Sequence, residues 1–355
     1  MATVPTTFLK QHQLNPQHIV FKSWDSKGNC VDYTRAELRQ KMAGFAQRLY
    51  ALGVCQDSKV GVLGEAAVDL SSVIMAIWAL GGTVVHIPLS ARKDLGDSKE
   101  AFVAMLTNHE LSFIIVSRDQ DFLNLEQILE ETFEPIQLFS LEGKSQDVFP
   151  LFTAEVEEGF LERVVFLNAE KAEALNFWKE SKRALMHNEI VELQLVQNER
   201  KFVHGDCVWV SSDIEDALGF ELFIDAFTGN HTLCFSGLDA LDQKMNMSIV
   251  LMSSQEISRM LYAYFRGHKG GALLVLKWAF AVAIQSEQPT LKSSRRIHLQ
   301  KQLLRRFFDH IRARIFNDIQ CVGMLNKSDA DNTLFIQGIG VSVVSISRNT
   351  FDIKS

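Results

Sequence analysis

Lys59–Leu63 reads as a short buried strand, Ala67–Leu80 as a helix, Gly81–Gly82 as its stop, and Thr83–Ile87 as a second buried strand closed by Pro88. A strand, a helix and a strand of these lengths can close up only as parallel neighbours joined by a right-handed crossover. The alternation continues with a helix over Ser98–Asn108 and a strand over Ser112–Val116. It is preceded by Thr34, which stands three residues before Glu37 as in a capping box. Leu38, Met42, Phe45, Leu49 and Leu52 follow at helical spacing until Gly53 ends the run. The first part of the chain is therefore an α/β domain, with sheets and flanking helices in three layers.

From Asp119 to Glu162 twelve acidic residues face one basic residue, Lys144, and the periodicity weakens. We read this as a solvated connecting segment. It divides the chain into an α/β subdomain over residues 1–118, the acidic segment over 119–162 and a second α/β subdomain over 163–355. In the second part Val164–Leu167 reads as a strand, Ala169–Ala184 as a helix, and Val208–Ser211, His231–Phe235, Thr333–Ile336 and Gly340–Ile346 as strands. Residues 292–316 read as one amphipathic helix with eight basic residues and Asp309 alone opposing them. Its apolar stripe is Ile297, Leu304, Phe307, Phe308, Ile311 and Ile315.

Composition excludes several function classes. Lys and Arg number 36 against 43 Asp and Glu, a net charge of -7, which argues against a dedicated nucleic-acid binder. Val73–Val85 and Ala272–Ile284, the most apolar stretches, fall short of the roughly 20 residues that cross a bilayer. The five cysteines are scattered, no secretory signal opens the chain, and the expected compartment is the cytoplasm. His204-x-x-Cys207 and His231-x-x-Cys234 have a zinc-like spacing, but the cysteines fall at or inside apolar strand patterns, so no metal site is expected. No Walker loop, nucleophile elbow or dinucleotide fingerprint is present, and no catalytic residue is assigned.

The punctuation of residues 32–89 resembles the amino-terminal part of adenylate-forming enzymes, and specifically of long-chain fatty acyl-CoA synthetases. The resemblance is carried by Tyr33-Thr34-x-x-Glu37-Leu38, Leu52-Gly53-Val54, Lys59-Val60-x-Val62-Leu63 and Gly81-Gly82-x-x-Val85, and further along by Leu274–Ala283 and the basic helix after it. It implies the large amino-terminal domain of an acyl-CoA synthetase, incomplete at its carboxyl end: the chain stops at Ser355, before the segments that bind ribose and carry the adenylation lysine.

The motifs that carry the family's chemistry depart from its pattern. The resemblance implies a Ser/Thr/Gly-rich phosphate loop ending in Pro-Lys-Gly, placed after Val164–Leu167. No glycine occurs between Gly159 and Gly205, and the composition there suits a helix. Lys182, shortly before His187, lacks the glycines that would make it a loop lysine. Val210-Ser-Ser-Asp213 stands where the family has Pro-Leu-x-His. Gly338-Ile339-Gly340-Val341-Ser342-Val343 stands where it has Gly-Tyr-Gly-x-Thr-Glu, leaving Gly338, Gly340 and Ser342 as a vestigial nucleotide site. Arg305 and Arg306 are candidate contacts for a membrane surface or a phosphate.

The sequence thus points to a catalytically degenerate acyl-CoA synthetase-like protein that holds an acyl chain or a partner protein. It points to no cofactor, and to at most peripheral membrane contact. The alternative is an active AMP-forming fatty acid–CoA ligase with a rebuilt nucleotide site, which would require ATP and Mg²⁺.

Overall fold

The computed structural model describes residues 3–24, 29–64, 67–87, 99–132, 136–143, 153, 155–168, 173–177, 180–187, 207–210, 226–229, 232–235, 249–267, 269–288, 294–315, 321–325 and 330–346. The chain forms two compact units. One contains Met1–Val203 and Asp213–Asn230, and the other His204–Ser212 and His231–Ser355.

In the first unit, strands β3 (Lys59–Leu63), β4 (Thr83–Ile87), β5 (Phe113–Val116), β6 (Gln137–Ser140), β7 (Glu173–Phe177) and β8 (Glu180–Met186) form a sheet in the order β6-β5-β3-β4-β7-β8. Neighbours are parallel except β7 and β8. All residues of β4 and β5 are buried, which is why these strands read as continuous apolar runs rather than alternating ones. Helices α1 (Val4–Leu14), α2 (Arg35–Ala51), α3 (Val68–Ala79), α4 (Lys99–Asn108), α5 (Asp119–Thr132) and α6 (Phe160–Leu167) belong to the same unit.

Local chemistry accounts for the ends of α2. The Thr34 hydroxyl accepts from the Glu37 amide at 3.3 Å while the Glu37 carboxylate accepts from the Thr34 amide at 2.7 Å. At the other end Gly53 adopts φ +96°, and the Gly53 and Val54 amides donate to the Tyr50 and Leu49 carbonyls, a Schellman closure. Before α2, β1 (Ile19–Trp24) and β2 (Cys30–Thr34) pair as an antiparallel hairpin. Arg35 is fully buried and donates to the carbonyls of Gln11, Asn15 and Gly229; burial lowers its pKa to about 10.

In the second unit, β9 (Cys207–Val210), β10 (Thr232–Phe235), β11 (Ile249–Ser253), β12 (Cys321–Leu325) and β13 (Ser342–Ile346) pair in parallel in the order β13-β12-β11-β9-β10. The connecting helices are α7 (Ser254–Arg266), α8 (Gly271–Glu287), α9 (Arg295–Leu303), α10 (Arg305–Ile315) and α11 (Ala330–Gly338). Among the described residues no helix is long and apolar enough to cross a membrane.

Five expectations are corrected. Val164–Leu167 is the end of helix α6, not a strand. Ala169–Ala184 is not a helix: its described residues lie in β7 and β8, because pairing with β4 overrides the helix-forming composition. Thr333–Ile336 lies inside α11. The acidic stretch is not a bare connector and the units do not divide there, since it supplies α5 and β6 to the first unit. The single basic helix is resolved into α9 and α10, separated by Leu304.

Candidate functional site

Of the apolar stripe, Ile297 on α9, Leu304 between the helices, and Phe308 and Ile311 on α10 are buried, and Phe307 is half-buried. The same spacing puts His298, Lys301, Gln302, Arg305, Asp309 and Arg312 on a neighbouring face, three, four or seven residues apart. They line a cleft of about 330 Å³ whose remaining walls are Phe308 and the turn Gly338–Gly340.

That turn is shaped by two glycines with different jobs. A side chain on Gly338 would collide with the Ala283 carbonyl oxygen, so its bareness lets α11 lie directly on the backbone of α8. Gly340 takes φ +90°, a left-handed conformation that L side chains disfavour. Its amide donates to the Gln337 carbonyl and the Val341 amide to the Ile336 carbonyl, ending α11 and turning the chain into β13. A Cβ on Gly340 would come within 3.3 Å of the Arg312 guanidinium, which therefore lies against the bare turn.

The cleft is rich in cations. Lys301 pairs with Glu287 at 2.9 Å and Arg312 with Asp309 at 3.2 Å, while Arg305 has no ion-pair partner among the described residues. Gln302 and His298 approach each other at 3.4 Å through Nε2 of each. The structure thus brings Arg305 together with Gly338 and Gly340. Ser342, exposed at the start of β13, and Arg306, exposed on α10, are not among the lining residues. The sequence reading missed His298, Lys301 and Arg312 as companions of Arg305, although their spacing was visible.

The place of the expected phosphate loop is different in kind. Only Trp178 and Lys179 separate β7 from β8, and Lys182 falls in β8 where the register slips between the Asn176–Ala184 and Phe177–Glu180 pairs. His187, just beyond β8, is buried, meets the Trp78 ring edge-on at 5.6 Å, and its Nδ1 has no hydrogen-bond partner among the described residues. Burial lowers its pKa to about 4. The Trp78 indole in turn donates to the Ala174 carbonyl of β7 at 2.6 Å.

Of the zinc-like pairs, His204 and His231 lie outside the described residues, as do Ser211–Asp213. Cys234 is buried in β10 opposite Trp209, while Cys207 pairs with Thr232.

No protein-family model matches the chain, and no curated protein matches it. Solved structures do. The inhibitor-bound N-terminal domain of FACL13 from Mycobacterium tuberculosis aligns with a TM-score of 0.64 at 9% identity, over 97% of this chain and 75% of that one. The o-succinylbenzoate CoA synthetase MenE from Bacillus subtilis aligns with a TM-score of 0.60 at 11% identity, over 95% of this chain and 57% of that one. The Klebsiella oxytoca NpsA N-terminal subdomain aligns with a TM-score of 0.56 at 13% identity, over 97% of this chain and 73% of that one. Together with the two α/β units, these alignments establish that the chain has the fold of the amino-terminal domains of adenylate-forming enzymes.

Proposed function

We propose that this chain uses an adenylate-forming fold to hold a fatty acyl ligand or a partner protein without transferring AMP. The observation that carries the reading is the β7–β8 connection. A phosphate cradle needs several backbone N–H groups turned toward one centre, in conformations that favour glycine. Two residues, neither of them glycine, separate the strands here, and the strands pair on either side. Among the described residues no group of three His, Cys, Asp or Glu is placed to hold a metal ion. Two strands joined by so short a connection do not supply that cradle at this position.

The acyl class rests on the sequence resemblance alone; the likeness to the FACL13 domain supports the fold that would carry it. A partner protein is supported by the apolar side chains that α8 and α9 leave exposed, among them Leu274, Trp278, Leu299 and Leu303.

Thermal unfolding separates this reading from an active ligase, because a ligand that binds only the native state raises its melting temperature. A fatty acid or acyl-CoA should raise it, and ATP with Mg²⁺ should leave it unchanged. Stabilisation by ATP with Mg²⁺ would favour the ligase with a rebuilt nucleotide site.

A further inference from the structure

The cleft at Gly338–Gly340 has donors in excess and few acceptors. Arg305 offers a whole guanidinium with no ion-pair partner among the described residues. Lys301 and Arg312 retain N–H groups beyond those used on Glu287 and Asp309, and Gln302 adds an amide. Among the lining residues, Asp309 is the one carboxylate. Phe308 and Ile339, both nearly inaccessible, give the cleft an apolar floor.

Such a wall is complementary to a group that presents acceptor oxygens on several sides and carries negative charge. Guanidinium forks match phosphate in this way. The bare Gly340 turn, with Arg312 lying against it, keeps side-chain bulk out of the mouth.

The position of the cleft matters as much as its chemistry. The turn precedes Ser342, so it lies at the amino end of β13, whose neighbours β12 and β11 run parallel to it. Open α/β sheets bind their principal ligands outside the carboxyl ends of the strands. A ligand here therefore occupies a site separate from the crevice in which a sheet of this kind takes a nucleotide, and Gly338 and Gly340 lie away from the nucleotide site for which the sequence singled them out.

We propose that the cleft is a phosphate-binding site in which Arg305 supplies the principal contact and Lys301 and Arg312 supply supporting donors. The site stands independently of whether the chain binds ATP.

Two probes distinguish the sources of the phosphate. The first is inorganic phosphate, titrated calorimetrically at constant ionic strength against a chloride control. The second is a phosphatidylcholine vesicle with and without phosphatidic acid, read by co-sedimentation. Arg305→Ala, an exposed position, should weaken phosphate binding by about tenfold or more, the scale of a charge-assisted hydrogen bond. Arg306→Ala removes the same charge outside the cleft and should leave binding within about twofold. Asp309→Asn, which takes away the carboxylate and releases Arg312, should tighten it.

Phosphate binding with this pattern supports the site with a soluble ligand. Binding to phosphatidic acid vesicles alone, with the same dependence on Arg305, supports it with a lipid headgroup. Binding to neither probe, or equal losses in Arg305→Ala and Arg306→Ala, overturns it.

Discussion

His86 and His187 are both buried, one in β4 and one just past β8, and burial lowers the pKa of each from 6.5 to about 4. Both are neutral in the folded protein at pH 7. Below pH 6.5 the unfolded chain takes up protons that the folded chain refuses until about pH 4. The stability associated with these groups is complete above pH 6.5 and is lost as the pH falls toward 4, at up to about 1.4 kcal/mol per pH unit for each histidine. The urea midpoint should therefore drop between pH 7 and pH 5. His187→Phe, which keeps a ring against Trp78, should make the drop smaller; an unchanged drop in the variant would remove His187 from this account.

At this scale some of the structure was legible and some was not. The Thr34–Glu37 capping box depends on a four-residue spacing and is present in the sequence as it is in the structure. Gly338 and Gly340 were legible as important glycines, but their roles were not: one depends on the backbone of Ala283, 55 positions earlier in the chain, and the other on the end of a helix read as a strand.

Among the elements, the misread segments share a cause. Val164–Leu167 is a four-residue apolar run, and periodicity cannot tell strand from helix at that length. Begun at Phe160, the pattern declares itself: Phe160, Leu161, Val164 and Val165 are buried while Phe166 and Leu167 are exposed. The same holds for α11, where Asn332, Phe335 and Ile336 are buried at helical spacing, with Ile339 buried just past its end. The acidic stretch misled for another reason, because Glu126 and Glu130 lie on the exposed face of α5 while most of its apolar residues, with Asp121, lie on the buried one. Phe122, Leu125, Ile128 and Leu129 join Leu63, Val85, Ile114 and Val116 in one core cluster. Leu125→Ala should therefore destabilise the protein by about 2–5 kcal/mol. A loss under about 0.5 kcal/mol, as for a solvated surface position, would restore the connector reading.

On the scale of the whole molecule, the α/β class and the order of the first five elements after Gly53 were readable because buried parallel strands and their crossover helices leave long apolar signatures. The division into units was not, since it places two stretches of chain, His204–Ser212 and Asp213–Asn230, on opposite sides of a boundary that no composition change marks. The candidate cleft was half legible: Arg305 and the two glycines were singled out for different reasons, and only the folded chain shows that they line one space.

The shared fold leaves chemistry open, because function resides in the site that a fold carries. The central claim is that this fold operates here without adenylation. Its most direct test is fatty acid-dependent exchange of labelled pyrophosphate into ATP in the presence of Mg²⁺, which reads the first half-reaction of adenylate formation by itself. The account predicts exchange no higher than the protein-free blank for every chain length tried; exchange that requires both the fatty acid and Mg²⁺ would contradict it.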